Sequence, residues 1–379
     1  MGRTRSGSPT IADVARECGV GTMTVSRVIN GGELVSSETA ARVRDAIRKL
    51  GYEPNEAARI LKGQSARMIG LIVPDLADPF FAVCAHAVQS TAVRQGYMPL
   101  LLASERDRES ESRELAMLKS RHVAGVLIVP SSPSCVTQLK EFRDQGIPVV
   151  MFDRTFPGVD TKHVMVDNQQ GAERAVIHLL DHGHRNIFCV GYDRQFNSIS
   201  ERIVGYQRAM REAGLKPSFI LADQLEGISD KVVRRLHSCE SPVAVFTLNN
   251  VMSMNLLQRL QREGIRVPEE VALIGFDDFE LASLLAVPLT AVRQPAEELG
   301  RSATRLLLDW IHSGVQSREA LSEQVVLPTE LVIRRSCGCD PPKSVRPEGR
   351  SRRMFSEAPS GANLENFAHS PLATQAGRW

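Results

Sequence analysis

The chain has 379 residues, of which 42% are hydrophobic and 24% are charged. These proportions are close to the globular average, so they exclude a wholly disordered, collagen-like or low-complexity chain, and the length suggests two or three folded units. No run approaches the roughly 18 uncharged apolar residues of a membrane span, and no apolar stretch follows Arg3 and Arg5 as in a secretory signal. The seven cysteines are an odd number and mostly lie in apolar runs, as in reduced cytosolic proteins. We therefore expect a cytoplasmic protein that has no membrane partner.

The formal net charge of +2 conceals an asymmetry along the chain. Residues 1–67 contain 11 Lys/Arg and 7 Asp/Glu, residues 68–340 contain 29 and 34, and residues 341–379 contain 6 and 3. A basic end on an acidic body is typical of a protein that contacts nucleic acid at that end. A chance fluctuation would give the same balance, so the motifs must distinguish the two.

Residues 1–52 contain three short helical patterns. Thr10 is a candidate N-cap ahead of apolar residues spaced three and four apart, and Asp13 occupies the capping-box position. A second apolar set at residues 25–29 resumes after a turn of about four residues, the dimension of a helix-turn-helix. Ser36 or Ser37 caps the third helix.

The outward face of the second helix carries hydrogen-bonding groups and hardly any acid. Its side chains are Thr22, Met23, Thr24, Ser26, Arg27 and Asn30. Such groups suit the phosphates and base edges of DNA. An ordinary helical bundle would explain the apolar spacing but not the hydroxyl-rich face, so the pattern favours DNA binding.

Residues 10–62 resemble the headpiece and hinge of the lactose-repressor (LacI) family of bacterial transcription regulators. The resemblance rests on three blocks in the same order and spacing, residues 10–15, 24–30 and 51–61, and it continues to residue 336. It implies a small all-α helix-turn-helix headpiece over residues 1–52 and, over 53–67, a linker with a hinge helix that folds on the operator. It also implies a two-lobed effector-binding and dimerisation domain over 68–340.

The resemblance also implies roles for individual residues in binding DNA. Three side chains would face bases: Thr22, Met23 and Arg27. Three would hold phosphates: Thr24, Ser26 and Asn30. Arg can bind guanine bidentately, and Thr or Met can contact a thymine methyl. The remaining expected DNA-binding residues are Thr10, Asn55, Ala58 and Leu61, of which Leu61 matches the leucine that the family inserts between minor-groove bases. The alternative for Leu61 is a linker residue packed on its neighbours.

From residue 68 onward, short β-rich runs alternate with amphipathic stretches, which is typical of parallel sheets with helices on both faces. The runs are residues 68–73, 98–102, 125–129, 148–152, 186–191, 243–248 and 271–276. About 270 residues exceed a comfortable single core, and two similar halves start near Met68 and Arg185. We therefore predict an α/β body of two doubly wound parallel-sheet lobes. The resemblance implies that this body is periplasmic-binding-protein-like.

A doubly wound sheet binds ligands beyond the carboxyl ends of its strands, so residues there are candidate effector ligands. Eight fall on the effector-contacting positions of the family: Phe80, Phe81, Ser131, Asp153, Arg202, Asn249, Asp277 and Gln294. Arg154 and Ser198 join them as strand-end residues, although Asp153 and Arg154 could equally form an internal ion pair. Charged and amide groups beside aromatic rings suit a sugar or sugar derivative, and a nucleobase would also fit. Asn250 departs from the family, where Asp commonly stands.

Enzyme motifs are absent from the sequence: there is no phosphate-binding loop, no nucleophile elbow and no His-Glu-x-x-His pair. We interpret Gly183, between His182 and His184, as the end of a helix rather than part of a metal pair. Cys337 and Cys339 supply only two soft ligands, so a zinc site would need help from elsewhere. We therefore expect no catalysis, no cofactor and no metal.

Residues 341–379 are rich in Pro, Ser, Gly, Ala and Arg, the composition of a disordered tail. They contain no leucine heptad of the kind that makes some family members tetrameric. We therefore predict a homodimeric repressor that binds pseudo-palindromic double-stranded operator DNA and responds to a small carbohydrate effector through allostery. The alternative, a sugar-binding protein of transport or chemotaxis, would have no use for residues 10–62.

Overall fold

The computed structural model describes residues 9–29, 35–52, 67–159, 161–192, 196–239, 242–313 and 324–339. Four predicted DNA-binding residues, Asn30, Asn55, Ala58 and Leu61, lie outside these ranges, as do residues 53–66 of the predicted hinge and the predicted tail. None of the described helices is long and apolar enough to cross a membrane.

Three helices form the N-terminal bundle: α1 (Ile11–Cys18), α2 (Thr22–Ile29) and α3 (Ser37–Leu50). Thr10 begins α1 with the predicted capping box. The hydroxyl and backbone N–H of Thr10 donate hydrogen bonds to Asp13 and, with Arg16, lower the pKa of that carboxyl to about 2. Ser36 caps α3. One fully buried valine from each helix forms the centre of the small core: Val14, Val25 and Val43.

The rest of the described chain forms twelve strands and eight further α-helices. The strands are β1 (Met68–Val73), β2 (Met98–Ala103), β3 (Gly125–Ile128), β4 (Val149–Phe152), β5 (Lys162–Val166), β6 (Asn186–Gly191), β7 (Ser218–Leu221), β8 (Val243–Thr247), β9 (Val271–Phe276), β10 (Thr290–Arg293), β11 (Gln324–Leu327) and β12 (Glu330–Val332). The helices are α4 (Pro79–Arg94), α5 (Arg108–Ser120), α6 (Cys135–Asp144), α7 (Asn168–Asp181), α8 (Asn197–Glu212), α9 (Ile228–His237), α10 (Asn250–Arg262) and α11 (Ala296–Ser313).

The strands form two six-stranded sheets of like topology. Their orders are β11-β5-β4-β3-β1-β2 in the first lobe and β12-β10-β9-β8-β6-β7 in the second. The five consecutive strands of each lobe thus follow the same doubly wound order. Every residue of β3, β4, β8 and β9 is buried, as expected for strands covered on both faces.

One strand departs from the predicted parallel sheets. β12 pairs with β10 in the antiparallel direction, whereas the other pairs are parallel. β11 leaves the first sheet at the edge where parallel strands end, and only two residues join it to β12. The chain therefore reaches the second sheet at the carboxyl ends of its strands. β12 can then only run back along β10, which makes the pair antiparallel.

Candidate DNA-binding helix and interlobe cavity

Helix α2 presents the predicted DNA-binding face to solvent. Thr22, Met23 and Arg27 are exposed, Thr24 and Ser26 are half-buried, and Val25 is fully buried against the bundle. Met23 keeps 65% of its surface accessible. The first turn of α2 contains no acidic residue, so its N-terminus suits a phosphate group.

A narrow cavity lies between the two lobes, at the carboxyl ends of their strands. The lining includes nine of the ten predicted effector residues: Phe80, Phe81, Asp153, Arg154, Ser198, Arg202, Asn249, Asp277 and Gln294. The loops that follow β1, β4, β8 and β9 bring most of them together, which explains why residues far apart in sequence converge here.

Ser131 is the exception among the predicted effector residues. Its hydroxyl lies 2.7 Å from the Ser104 hydroxyl, and its backbone N–H donates to the carboxylate of Glu111. These bonds hold Ser131 inside the first lobe, and it is not among the described residues that line the cavity. The effector role that the resemblance implies for Ser131 stays a prediction.

Arg202 connects several parts of the second lobe. Its Nη1 donates to Asp277 Oδ2 at 3.1 Å and to the backbone oxygen of Leu248 at 2.7 Å. Its Nε donates to Asn168 Oδ1 at 2.8 Å, and its guanidinium carbon lies 3.8 Å from the centroid of the Phe276 ring. A planar guanidinium can satisfy all these partners at once, which an ammonium group could not.

Asp277 occupies a left-handed backbone position, with a φ of 70°. Its second carboxylate oxygen accepts a hydrogen bond from Gln294 Nε2. The other amide atom of Gln294, Oε1, is buried and accepts no hydrogen bond from any described residue. Gln294 also lines the cavity, and a buried oxygen of this kind needs a hydrogen-bond donor.

Asp153 and Arg154 form the ion pair that was one of the two interpretations, and both also line the cavity. Arg154 Nε lies 3.4 Å from Asp153 Oδ2, and its guanidinium carbon lies 4.1 Å from the centroid of Phe196. Burial raises the pKa of the Asp153 carboxyl to about 6, despite the opposing effect of Arg154 and Arg202.

The sequence interpretation missed a contact that joins the two lobes. Asp78 caps α4 in the first lobe, and its Oδ1 accepts a hydrogen bond of 2.9 Å from Asn250 Nδ2, at the start of α10 in the second lobe. Arg106 Nη2 lies 3.5 Å from Asp78 Oδ2. Burial raises the pKa of the Asp78 carboxyl. The Asp-Pro pair at residues 78–79 was the available signal, because it marks a capped helix start five residues after the end of β1.

The charges of the cavity are balanced in pairs. Each of three arginines lies beside an aspartate that also lines the cavity: Arg106 and Asp78 at 3.5 Å, Arg154 and Asp153 at 3.4 Å, and Arg202 and Asp277 at 3.1 Å. Arg106 also lies 4.0 Å from Asp75. Around them lie the rings of Phe80, Phe81 and Tyr192. The cavity therefore offers many hydrogen-bonding atoms and apolar ring surface, with each described arginine compensated by a carboxylate.

A three-helix headpiece ahead of a two-lobed body with an interlobe cavity defines a class of DNA-binding regulator. The profile of the bacterial regulatory proteins of the lacI family matches residues 10–55, and that of the periplasmic binding protein-like domain matches residues 176–337. The HTH-type transcriptional regulator DegA of Bacillus subtilis is 32% identical over 86% of this chain and 97% of its own length. The HTH-type transcriptional repressor PurR of Vibrio cholerae is 36% identical over 80% and 91%.

Among solved structures, a complex of the transcriptional regulator CelR with cellobiose is similar at 30% identity, with a TM-score of 0.63 over 86% of this chain and 99% of that one. The chain belongs to the LacI family of bacterial transcription regulators. It is accordingly a DNA-binding transcription repressor and not an enzyme, which confirms the resemblance recognised in the sequence.

Proposed function

We propose that a neutral, polyhydroxylated molecule of the sugar class binds in the interlobe cavity and sets the operator affinity of this repressor. The observation that carries the proposal is the pairing of each cavity arginine with an aspartate. An anionic effector, such as a sugar phosphate or sugar acid, would have to displace a carboxylate from its arginine. Neutral hydroxyls can instead use the remaining lone pairs and N–H groups without breaking a charge pair.

The aromatic residues support the same ligand class. Phe80 and Phe81 pack edge to face, with their ring centroids 5.1 Å apart, and both line the cavity. An aromatic ring beside polar groups suits the mixed faces of a sugar, one with hydroxyls and one with C–H groups. The similarity to a regulator solved with cellobiose is consistent with this class.

The position of the cavity between the lobes explains how an effector would change the affinity for DNA. Because residues of both lobes line it, an effector that contacts both lobes stabilises one relative arrangement over another. A ligand shifts such an equilibrium only by its difference in affinity for the two arrangements. We propose that the headpiece responds to this shift, in the cytoplasm, through the segment at residues 53–67.

We further propose that the repressor acts as a homodimer on a pseudo-palindromic operator. Several large apolar side chains are exposed on the described body: Val93, Met98 and Leu101 at α4 and the edge strand β2, and Leu281 and Leu284 after β9. Exposed apolar groups on an open edge strand, here Met98 and Leu101 on β2, favour association with a second copy. One recognition helix reads too few bases to be selective, so two copies must cooperate.

A thermal-shift screen of the purified chain tests the effector class. We expect a neutral sugar to raise the melting temperature, with sugar phosphates, sugar acids and nucleobases having smaller effects. A ligand at about 100 times its Kd stabilises the folded state by about 2.7 kcal/mol, which such a screen detects readily. Arg208→Ala, at an exposed ion pair on α8, is the control variant and should keep the full shift. A larger shift with a phosphate, an acid or a nucleobase would overturn the assignment.

A further inference from the structure

Two imidazoles and one thiol converge where α7 meets the last described segment of the chain. His178 and His182 lie one helical turn apart at the end of α7. Cys339 Sγ lies 3.2 Å from His178 Nε2 and 2.9 Å from His182 Nε2. The ligand atoms of the three residues all lie within 4.8 Å of one another. The sequence interpretation missed this group because it paired His182 with His184, two residues away, instead of His178 on the same helix face.

The hydrogen bond between His182 and the backbone determines which of its ring nitrogens carries the hydrogen. His182 Nδ1 lies 2.7 Å from the backbone oxygen of His178. A carbonyl only accepts hydrogen bonds, so Nδ1 carries the hydrogen and, in the neutral ring, Nε2 directs its lone pair at Cys339. A histidine that donates one ring N–H to a carbonyl and presents the other nitrogen is oriented as metal-binding histidines are.

The Cys-Gly-Cys turn places its two thiols differently. Cys337 is buried and accepts a hydrogen bond of 3.1 Å from the Thr290 hydroxyl. Gly338, with a φ of 89°, turns the chain so that Cys339 reaches the helix. The backbone oxygen of Ser336 accepts a hydrogen bond of 2.7 Å from the Leu273 N–H. This bond links the start of the turn to β9. Cys337 therefore contacts β10, whereas Cys339 contacts the end of α7.

We propose that His178, His182 and Cys339 bind a divalent cation of the zinc type, with a water molecule as the fourth ligand. Two imidazole nitrogens with one or two thiolates form a donor set that Zn²⁺ prefers, and four ligands complete its tetrahedral geometry. Binding removes the proton from each thiol that becomes a ligand and releases it to solvent. The cation would tie the end of the body, at residue 339, to helix α7.

The alternative is a hydrogen-bonded Cys-His cluster without a cation, and Co²⁺ substitution distinguishes the two. The full chain, reduced and freed of metal by a chelator, is titrated with Co²⁺. We expect one equivalent to bind with the absorption bands of tetrahedral, thiolate-ligated cobalt, and Zn²⁺ to displace it. A titration without a thiolate-to-cobalt band would overturn the proposal.

Two variants and a matched control locate the cation. Cys339→Ser and His182→Gln should each weaken Co²⁺ binding by more than about 100-fold, because loss of even an outer-shell partner typically costs about 10–100-fold. Cys239→Ser replaces a half-buried cysteine at the end of α9 and should leave the titration unchanged. The proposal is wrong if the cobalt bands survive in Cys339→Ser or disappear in Cys239→Ser.

Stability supplies a second readout that does not depend on spectroscopy. Zn²⁺ should raise the melting temperature of the wild-type chain, because a ligand that binds only the folded state stabilises it. Cys339 is only partly buried, so Cys339→Ser should fold and retain operator binding in a gel shift. A rise of equal size in wild type and Cys339→Ser would place the cation elsewhere.

Discussion

Asp277 holds its carboxylate between Arg202 and Gln294 in a buried position, and removing it should destabilise the protein. Asp277→Ala would leave the Arg202 guanidinium buried without its counter-charge, which typically costs about 3–5 kcal/mol. Asp277→Asn should cost less, because the amide keeps the shape and tolerates the left-handed φ of 70°. Urea unfolding monitored by circular dichroism measures both.

Arg208→Ala is the matched control for this prediction. Arg208 pairs with Glu212 at 2.9 Å and with Glu173 at 3.3 Å, and 56% of its side chain is exposed, so solvent screening leaves these pairs little effect on stability. Equal losses for Asp277→Ala and Arg208→Ala would contradict a structural role for the buried pair.

The raised pKa of Asp153 predicts a pH dependence of stability. Burial raises this pKa from 3.8 to about 6. Between these values the unfolded chain ionises while the folded chain keeps the proton. The contribution of this carboxyl is therefore fully present below about pH 4 and is lost as the pH rises through about 6, by at most about 3 kcal/mol.

Comparison with Asp153→Asn isolates that carboxyl from the other acids. Asn tolerates the φ of 62° at this position and does not titrate. The fall in the free energy of unfolding between pH 4 and 6 should be smaller in the variant than in wild type. Parallel curves for the two proteins would show that Asp153 does not titrate in this range.

Arg27 gives the residue-scale test of DNA recognition. Arg27→Ala should lose about 1–3 kcal/mol of operator binding and relax the preference at one base in each half-site, because a bidentate base contact carries sequence information. Ser26→Ala, which we expect to remove a phosphate contact, should weaken binding to all sequences alike. Selection from random DNA measures both profiles. An unchanged profile for Arg27→Ala would exclude it from base recognition.

Sequence patterns located the elements whose apolar residues form an unbroken run. The runs at residues 68–73, 186–191 and 271–276 coincide with β1, β6 and β9, since strands buried on both faces have no polar positions to interrupt them. β5, β7, β10, β11 and β12 were not predicted. β11 and β12 have exposed positions in short edge strands, and their sheet partners are distant in sequence, so no local pattern marks them.

The cavity residues at strand ends could be predicted from the sequence. The contacts between residues far apart in the chain could not. Asp153 and Asp277 follow β4 and β9, and the parallel topology places each at the carboxyl-end edge of its own sheet, where ligands usually bind. The bond from Asn250 to Asp78 joins residues 172 positions apart, so only the packing of one lobe on the other creates it. The contact of Cys339 with His178 lies within the second lobe but joins residues 161 positions apart, so no local pattern indicates it.

The first turn of α10 provides an element-scale test of lobe closure. Asn250→Asp would place a second carboxylate within hydrogen-bonding distance of Asp78, where the amide now donates at 2.9 Å. At pH 8 the two negative charges should repel, so the lobes should open and the radius of gyration in small-angle X-ray scattering should increase. Near pH 4 a shared proton should restore closure.

Asn250→Ala controls for loss of the hydrogen bond alone. It removes the donor without adding a charge, so any opening should be smaller and independent of pH. A radius of gyration that is the same in Asn250→Asp and wild type at pH 8 would mean that the bond to Asp78 does not hold the lobes together.

At the scale of the whole molecule, the chain passes between the lobes three times. It crosses after β5, again between β10 and α11, which packs on α4, and finally between β11 and β12. Several crossing segments between two lobes are typical of hinged domains, in which opening and closing is the main motion. We propose that an effector acts on the headpiece through this motion.

Recognition of a pseudo-palindrome requires two headpieces, so operator binding should fail when the body cannot dimerise. Met98 lies on the edge strand β2 with 67% of its surface exposed, and burying a charge there at an interface between copies would be costly. Met98→Glu should therefore sediment as a monomer, keep the effector-induced thermal shift, and bind operator far more weakly in a gel shift, while its non-specific binding changes little. Val204→Glu, at an apolar position of α8 that is 45% exposed, introduces the same charge away from β2 and should remain a dimer.

A Met98→Glu variant that stays dimeric would exclude β2 from the interface. A monomer that binds operator like wild type would show that a single headpiece suffices.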